Sequence, residues 1–156
     1  MSIEVALLDL GDDATLRRLV ALQRASYAVE ADLIGSDSLP PLSEPPEQLR
    51  AAGETFLGAR RGGALVGAVS YKRDGDTVDV HRLVVDPAAF RGGVATALLD
   101  ALDLRERDAA RWTVGTGAAN APARALYEKR GFAVVEEREL PGGVRYVRME
   151  RAAATG

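Results

Sequence analysis

Leu83-Val84-Val85-Asp86-Pro87-Ala88-Ala89-Phe90-Arg91-Gly92-Gly93-Val94-Ala95-Thr96-Ala97-Leu98-Leu99 passes from an apolar strand through a short loop into a helix. Val94, Ala97, Leu98, Ala101 and Leu102 repeat at i, i+3, i+4, i+7 and i+8, the spacing that lays one apolar stripe along a helix reaching about Arg107. The first N–H groups of such a helix have no partner within it and point outward, and the helix dipole adds partial positive charge there. A pyrophosphate can sit at this junction without a dedicated lysine. Gly92 and Gly93 let the backbone approach an anion closely, Ala95 keeps the next turn uncluttered, and Arg91 adds a charged contact. Gly-Gly ahead of a helix is also a plain turn in many folds. The GxxxxGK[ST] phosphate loop is absent, which leaves ATP or GTP hydrolysis without support.

Toward the N-terminus, residues 77–85 form the last of three strand-like runs with residues 55–61 and 64–71. Gly62-Gly63 suits the positive φ angles of a tight hairpin, and Asp74-Gly75-Asp76 marks the next turn, so the three runs make an antiparallel meander. Earlier still, residues 5–10 read as a strand, and Asp12-Asp13 offers a cap to a helix carrying Leu16, Leu19, Val20 and Tyr27 at helical spacing. Between Gly35 and Pro46 the pairs Pro40-Pro41 and Pro45-Pro46 predict an exposed loop, followed by a short helix over residues 47–52. Toward the C-terminus come a strand over 111–114, a helix over 122–130 stopped by Gly131, and strands over 132–139 and 145–151 about the turn Pro141-Gly142-Gly143. The order βα(α)βββαβαββ is a mixed α/β arrangement without internal repeats. It predicts a single domain over residues 1–151 and a frayed, flexible tail over 152–156.

The 156 residues are 47% hydrophobic, enough to bury one core. No apolar run approaches the roughly 18 residues that cross a bilayer, and Met1-Ser2-Ile3-Glu4 lacks the basic and apolar regions of a signal peptide. A cytoplasmic protein without a membrane partner is the expectation. The absence of cysteine removes disulfides, thiolate metal ligands and a cysteine nucleophile. Twenty basic against 23 acidic side chains, with no long charge run, give no nucleic-acid footprint. The expected partner is a small molecule or a protein.

A second stretch, Asn120-Ala121-Pro122-Ala123-Arg124-Ala125-Leu126-Tyr127-Glu128-Lys129-Arg130-Gly131-Phe132, opens with a capping residue and closes with glycine. Tyr127 stands seven residues beyond Asn120, close to two turns, so phenol and amide fall near one stripe of the helix. Taken alone, Asn120 can simply cap and Tyr127 can be a half-buried aromatic. Together the two stretches resemble the GNAT superfamily of acyl-CoA N-acyltransferases. Gly93 and Ala95 match the small positions of its (Q/R)xxGx(G/A) turn, and Asn120, Ala123, Leu126, Tyr127, Gly131 and Phe132 match its NxxAxxLYxxxGF segment. The leading Gln or Arg position holds Phe90, with Arg91 one place later.

The resemblance implies a mixed, mostly antiparallel, bent sheet of six to seven strands flanked by about four helices, its central parallel strands splayed so that CoA inserts between them. It implies acetyl transfer from acetyl-CoA, as co-substrate and without a metal, by direct attack of a primary amine on a small molecule, peptide or protein terminus. Cofactor-binding residues implied are Val84, Val85, Arg91, Gly92, Gly93, Val94, Ala95, Thr96, Asn120 and Tyr127. Val85 would pair its backbone with the pantetheine arm, the turn would cradle the pyrophosphate, and Tyr127 would protonate the departing thiolate. An ammonium cannot attack, so a base or water chain must take its proton. His81, the single histidine, lies four residues before Val85 and by strand alternation on the same face, which makes it a candidate, with Asp79 and Glu30 as further ones.

Tyr27 and Glu30 are the expected acceptor-binding residues, on a region that Glu30, Asp32, Asp37 and Glu44 make acidic. A GNAT-like sensor or interaction module that binds acyl-CoA without turnover is the alternative. A dinucleotide-binding reading of Gly115-Thr116-Gly117 fails for want of a third glycine and of chain to build a doubly wound sheet. An edge strand near the C-terminus leaves a homodimer open.

Overall fold

The computed structural model describes residues 2–34 and 44–153. Seven strands and four helices are found among them: β1 (Ile3–Leu7), α1 (Asp13–Ile34), α2 (Pro46–Arg50), β2 (Thr55–Arg61), β3 (Ala64–Asp74), β4 (Thr77–Val85), α3 (Val94–Arg105), β5 (Arg111–Gly117), α4 (Ala121–Lys129), β6 (Ala133–Glu139) and β7 (Arg145–Ala152). The strands form one sheet in the order β1-β2-β3-β4-β5-β7-β6. Among these strands only β4 and β5 are parallel neighbours, as their crossover through α3 requires.

Alternation along the central strands assigns the two faces. Phe56, Ala68 and Val84 pack with Leu16, Leu19, Val20 and Leu22 of α1. Their chain neighbours Leu57, Val69 and Val85 pack the other way, with Val94, Leu98, Leu99 and Leu102 of α3 and with Tyr127 and Phe132 around α4. Asp12 starts α1 by accepting hydrogen bonds from the Thr15 N–H (3.0 Å) and hydroxyl (2.6 Å). The β2–β3 hairpin turns on Gly62 and Gly63, both at positive φ (59° and 83°).

The ladder between β4 and β5 comprises only four pairs, Thr77↔Arg111 to Val80↔Val114. Beyond them β4 continues to Val85 against β3, and residues 115–117 of β5 continue against β7, so the two strands part and leave a gap in the sheet. The splay begins beside a β-bulge. Ser70 pairs with Arg82 while Tyr71 pairs with Val80, which leaves His81 as an extra residue on β4.

Element order and the open mixed sheet are those expected, while several ends move. β5 runs to Gly117 rather than 114 because β7 keeps it hydrogen-bonded past the splay. The expected tail does not begin at 152: Ala152 is the last residue of β7, and the Ala153 N–H donates to the Ala110 carbonyl at 2.8 Å. Residues 154–156, Asp37 and most of the expected loop lie outside the described residues. Among those described, no helix is long and apolar enough to cross a membrane.

Candidate active site

The mouth of the splay is built by the segment from β4 into α3. The Asp86 N–H donates to the Val66 carbonyl of β3 at 2.8 Å, so by alternation the backbone groups of Leu83 and Val85 point the opposite way, into the gap. The Val85 N–H donates there to Ser26 Oγ of α1 at 3.3 Å. A 3-10 turn, Pro87–Ala89, follows, capped by Asp86, whose carboxylate accepts from the Ala88 N–H. The chain then enters α3 through two left-handed residues, Arg91 (φ 66°) and Gly93 (φ 80°). The Ala97 N–H makes the first helical bond, to the Gly93 carbonyl, and no side chain caps the helix. The N–H groups of Val94, Ala95 and Thr96 thus stand at the helix end without helical acceptors.

These groups face a cavity of about 590 Å³, lined also by Arg91, Leu83, Val85, Ser26 and Glu30, and on its far wall by Asn120, Ala123 and Leu126 of α4. Unpaired amides at a helix dipole's positive end, an adjoining guanidinium and an apolar slot between two strands suit a long ligand with an anionic end. A CoA diphosphate and pantetheine arm have that character.

Deeper in the splay lies a chamber of about 90 Å³, which shares Glu30, Leu83, Asn120 and Ala123 with the outer cavity and adds Tyr27, His81, Arg82, Thr116 and Tyr127. Tyr127 is 4% exposed and sets its ring edgewise on Phe132, with centroids 5.6 Å apart. Burial, and then the negative charge of Glu30, push its phenol well above the ordinary value, so it stays protonated. Burial raises the Tyr27 phenol in the same way. Burial also lifts the Glu30 carboxyl, against hydrogen bonds from the Asn120 side chain, the Gly117 N–H and the Thr116 side chain that pull it down. Asn120 also starts α4, where its Oδ1 accepts the Ala123 N–H at 3.3 Å.

A third cavity, about 310 Å³, shares Val80, His81, Val114 and Gly115 with this chamber and adds Asp79, Arg138, Tyr146 and Arg148. Arg82 forms one wall of the chamber, with its guanidinium between the Glu44 and Glu54 carboxylates. Glu54 is held further by the Ser70 hydroxyl at 2.5 Å. Burial pushes Glu54 upward, but Arg82 and Ser70 outweigh it and hold the carboxyl below its ordinary range.

The outer cavity and the chamber bring together Tyr27, Glu30, His81, Val85, Arg91, Gly93, Val94, Ala95, Thr96, Asn120 and Tyr127. Two expected residues fall elsewhere. Val84 is 2% exposed, packs against α1 and pairs with Ala68, while the unanticipated Leu83 lines the gap. Gly92 stands behind the turn, where the Arg61 guanidinium holds its carbonyl at 2.9 Å and a Cβ would come within 2.6 Å of that guanidinium. His81 does line the chamber, although the reasoning from Val85 fails. The bulge breaks alternation, so Val85 packs toward α3 while His81 meets Asp79 at 3.0 Å and Glu54 at 3.9 Å. Ser26 and Tyr146 carried no motif. The one signal for Tyr146 was a glycine in mid-strand: a Cβ on Gly115 would lie 1.5 Å from the Tyr146 hydroxyl.

A family model described as the acetyltransferase (GNAT) family matches residues 18–132. Over 125 residues the chain is 37% identical to the UPF0157 protein YqkA of Bacillus subtilis (strain 168), covering 80% of this chain but only 36% of that protein, so it spans about a third of that relative's length. It is 36% identical over 132 residues to the N-alpha-acetyltransferase RimI of Mycobacterium tuberculosis (strain ATCC 25618 / H37Rv), covering 81% of this chain and 78% of that one. Among solved structures, the PaiA N-acetyltransferase of Thermoplasma acidophilum in complex with coenzyme A superposes with a TM-score of 0.73 at 21% identity, covering 97% of this chain and 99% of that one. At that identity the likeness is one of fold.

Proposed function

The chain belongs to the GNAT family of acetyltransferases, and from that premise we propose that it moves the acetyl group of acetyl-CoA onto a primary amine by direct attack. The observation that carries this reading is the splay between β4 and β5, with the unpaired amides of α3 at its mouth and the Tyr127 phenol in its throat. Bound acetyl-CoA supplies a thioester whose carbonyl carbon the amine attacks and whose sulfur leaves. The amides of Val94, Ala95 and Thr96, with Arg91, hold the diphosphate. Leu83 and Val85 present strand-edge backbone to the pantetheine arm, Val85 by exchanging its bond to Ser26. Tyr127, kept neutral by burial, donates its proton to the sulfur. Tyr27 and Glu30 meet the acceptor in the throat, and His81 connects the throat to solvent on the far face.

The test has two readings on the purified protein. Calorimetry should register heat with CoA. Free thiol should be released from acetyl-CoA with at least one amine of a panel comprising glycinamide, spermidine, kanamycin and an alanine-initiated peptide. No heat refutes the site, whereas heat without turnover on any amine leaves a CoA-binding module in place of an enzyme.

A further inference from the structure

We infer that Glu30 is the group that takes the proton from the acceptor's ammonium, from its place between the outer cavity and the inner chamber. The inference rests on the acetyltransferase reading and adds the missing base to it. Among the described residues Glu30 is the only carboxylate that lines both the outer cavity and the inner chamber, so it stands where the acetyl donor and the acceptor must meet. The Asn120 side chain, the Thr116 side chain and the Gly117 N–H favour its charged form, and Asn120 and Thr116 line the chamber beside it.

The surroundings support proton transfer here. The phenols of Tyr27 from α1 and Tyr127 from α4 share the chamber with Glu30, as do His81 and Arg82 of β4, and the Tyr146 phenol of β7, in the third cavity, also feels its charge. All three phenols are raised, so none competes as a base at neutral pH. Arg82 is committed to Glu44 and Glu54. His81 reaches only the inner chamber and the far cavity, and its Nε2 is occupied by Asp79. Burial raises the Glu30 carboxyl toward the pH range in which it can accept a proton from an amine and release it again.

The step balances as follows. The acceptor's ammonium gives one proton to the Glu30 carboxylate, and the freed lone pair forms the C–N bond. The C–S bond breaks with its electron pair on sulfur, which takes the Tyr127 proton. The nitrogen's remaining excess proton returns to Tyr127. Glu30 then releases its proton to water, so ammonium and thioester have become amide, thiol and one proton.

The experiment uses whichever panel amine the wild type turns over fastest. At pH 7, with that amine protonated, Glu30→Gln should lower kcat by about a hundredfold or more, while the calorimetric affinity for CoA stays within about twofold, on the same scale. The variant's rate should then climb with pH toward that of the wild type as the amine loses its own proton. Glu30→Asp should fall between the two. In the wild type the acidic limb of kcat/KM should lie above the ordinary glutamate range and be absent from Glu30→Gln. A loss that is the same at every pH, a rise in KM with kcat unchanged, or loss of CoA heat in both variants would overturn the inference. Absence of thiol release from the wild type itself would instead remove the acetyltransferase reading on which it stands.

Discussion

Tyr127 and Gly115 illustrate what single residues do in this site. Tyr127→Phe keeps the buried ring on Phe132 and removes only the hydroxyl. Turnover should fall by about a hundredfold, in the range of a lost general acid, with CoA affinity unchanged by calorimetry. Gly115→Ala acts by collision: its methyl group would overlap the Tyr146 ring, with the hydroxyl at 1.5 Å and the adjoining carbon at 2.3 Å. Overpacking of this kind costs about 1–3 kcal/mol, measurable as a lower denaturation midpoint, and Tyr146→Leu in the same chain should recover part of it. Tyr127, Asn120, Gly93 and Ala95 were legible in the sequence because each sits at a fixed offset within a local turn or cap. Leu83, Ser26 and Tyr146 were not, because their place in these cavities depends on which way a distant strand faces.

At the level of elements, the entrance to α3 and the wall of β4 behave differently under substitution. Gly93 is left-handed, and a methyl group there would meet nothing within 4 Å, so Gly93→Ala carries only the backbone cost of about 1–2 kcal/mol. It should weaken CoA binding as well, because the turn aims the helix amides. Arg82 on β4 holds Glu54, whose side chain is only 4% exposed. Arg82→Met strands that charge and should cost about 3 kcal/mol or more. Glu54 sits below its ordinary value of 4.5 when folded, so its contribution is complete above that pH and lost as pH falls through the folded value. Denaturant unfolding of the wild type should therefore weaken below about pH 4.5, with a smaller slope in Arg82→Met. Hydrophobic period and turn residues located every element, since those signals are local. The extensions of β3 to Asp74 and β5 to Gly117 were hidden because they follow from pairing with partners far along the chain.

For the molecule as a whole, the splay is a gap that a ligand would fill. A ligand that binds only the folded state at about a hundred times its Kd adds about 2.7 kcal/mol, which for a domain of this size is a rise in Tm of about 5–10 °C. Saturating CoA should produce that rise, and Gly93→Ala should reduce it. Element order was foreseeable from the alternation of strand and helix patterns, whereas the bulge that redirects β4 leaves no mark in composition or period. That extra residue gives β4 something like a reading frame. Keep the number of residues but straighten the strand, and every position after Val80 shifts phase: Arg82 and Val84 would swing toward α3, and Leu83 and Val85 would turn their side chains toward α1, whereas deleting His81 alone would leave the existing pairs in register. A chimera between this chain and a relative can exchange β4 only as a unit with its β3 partner, because the two strands share one register.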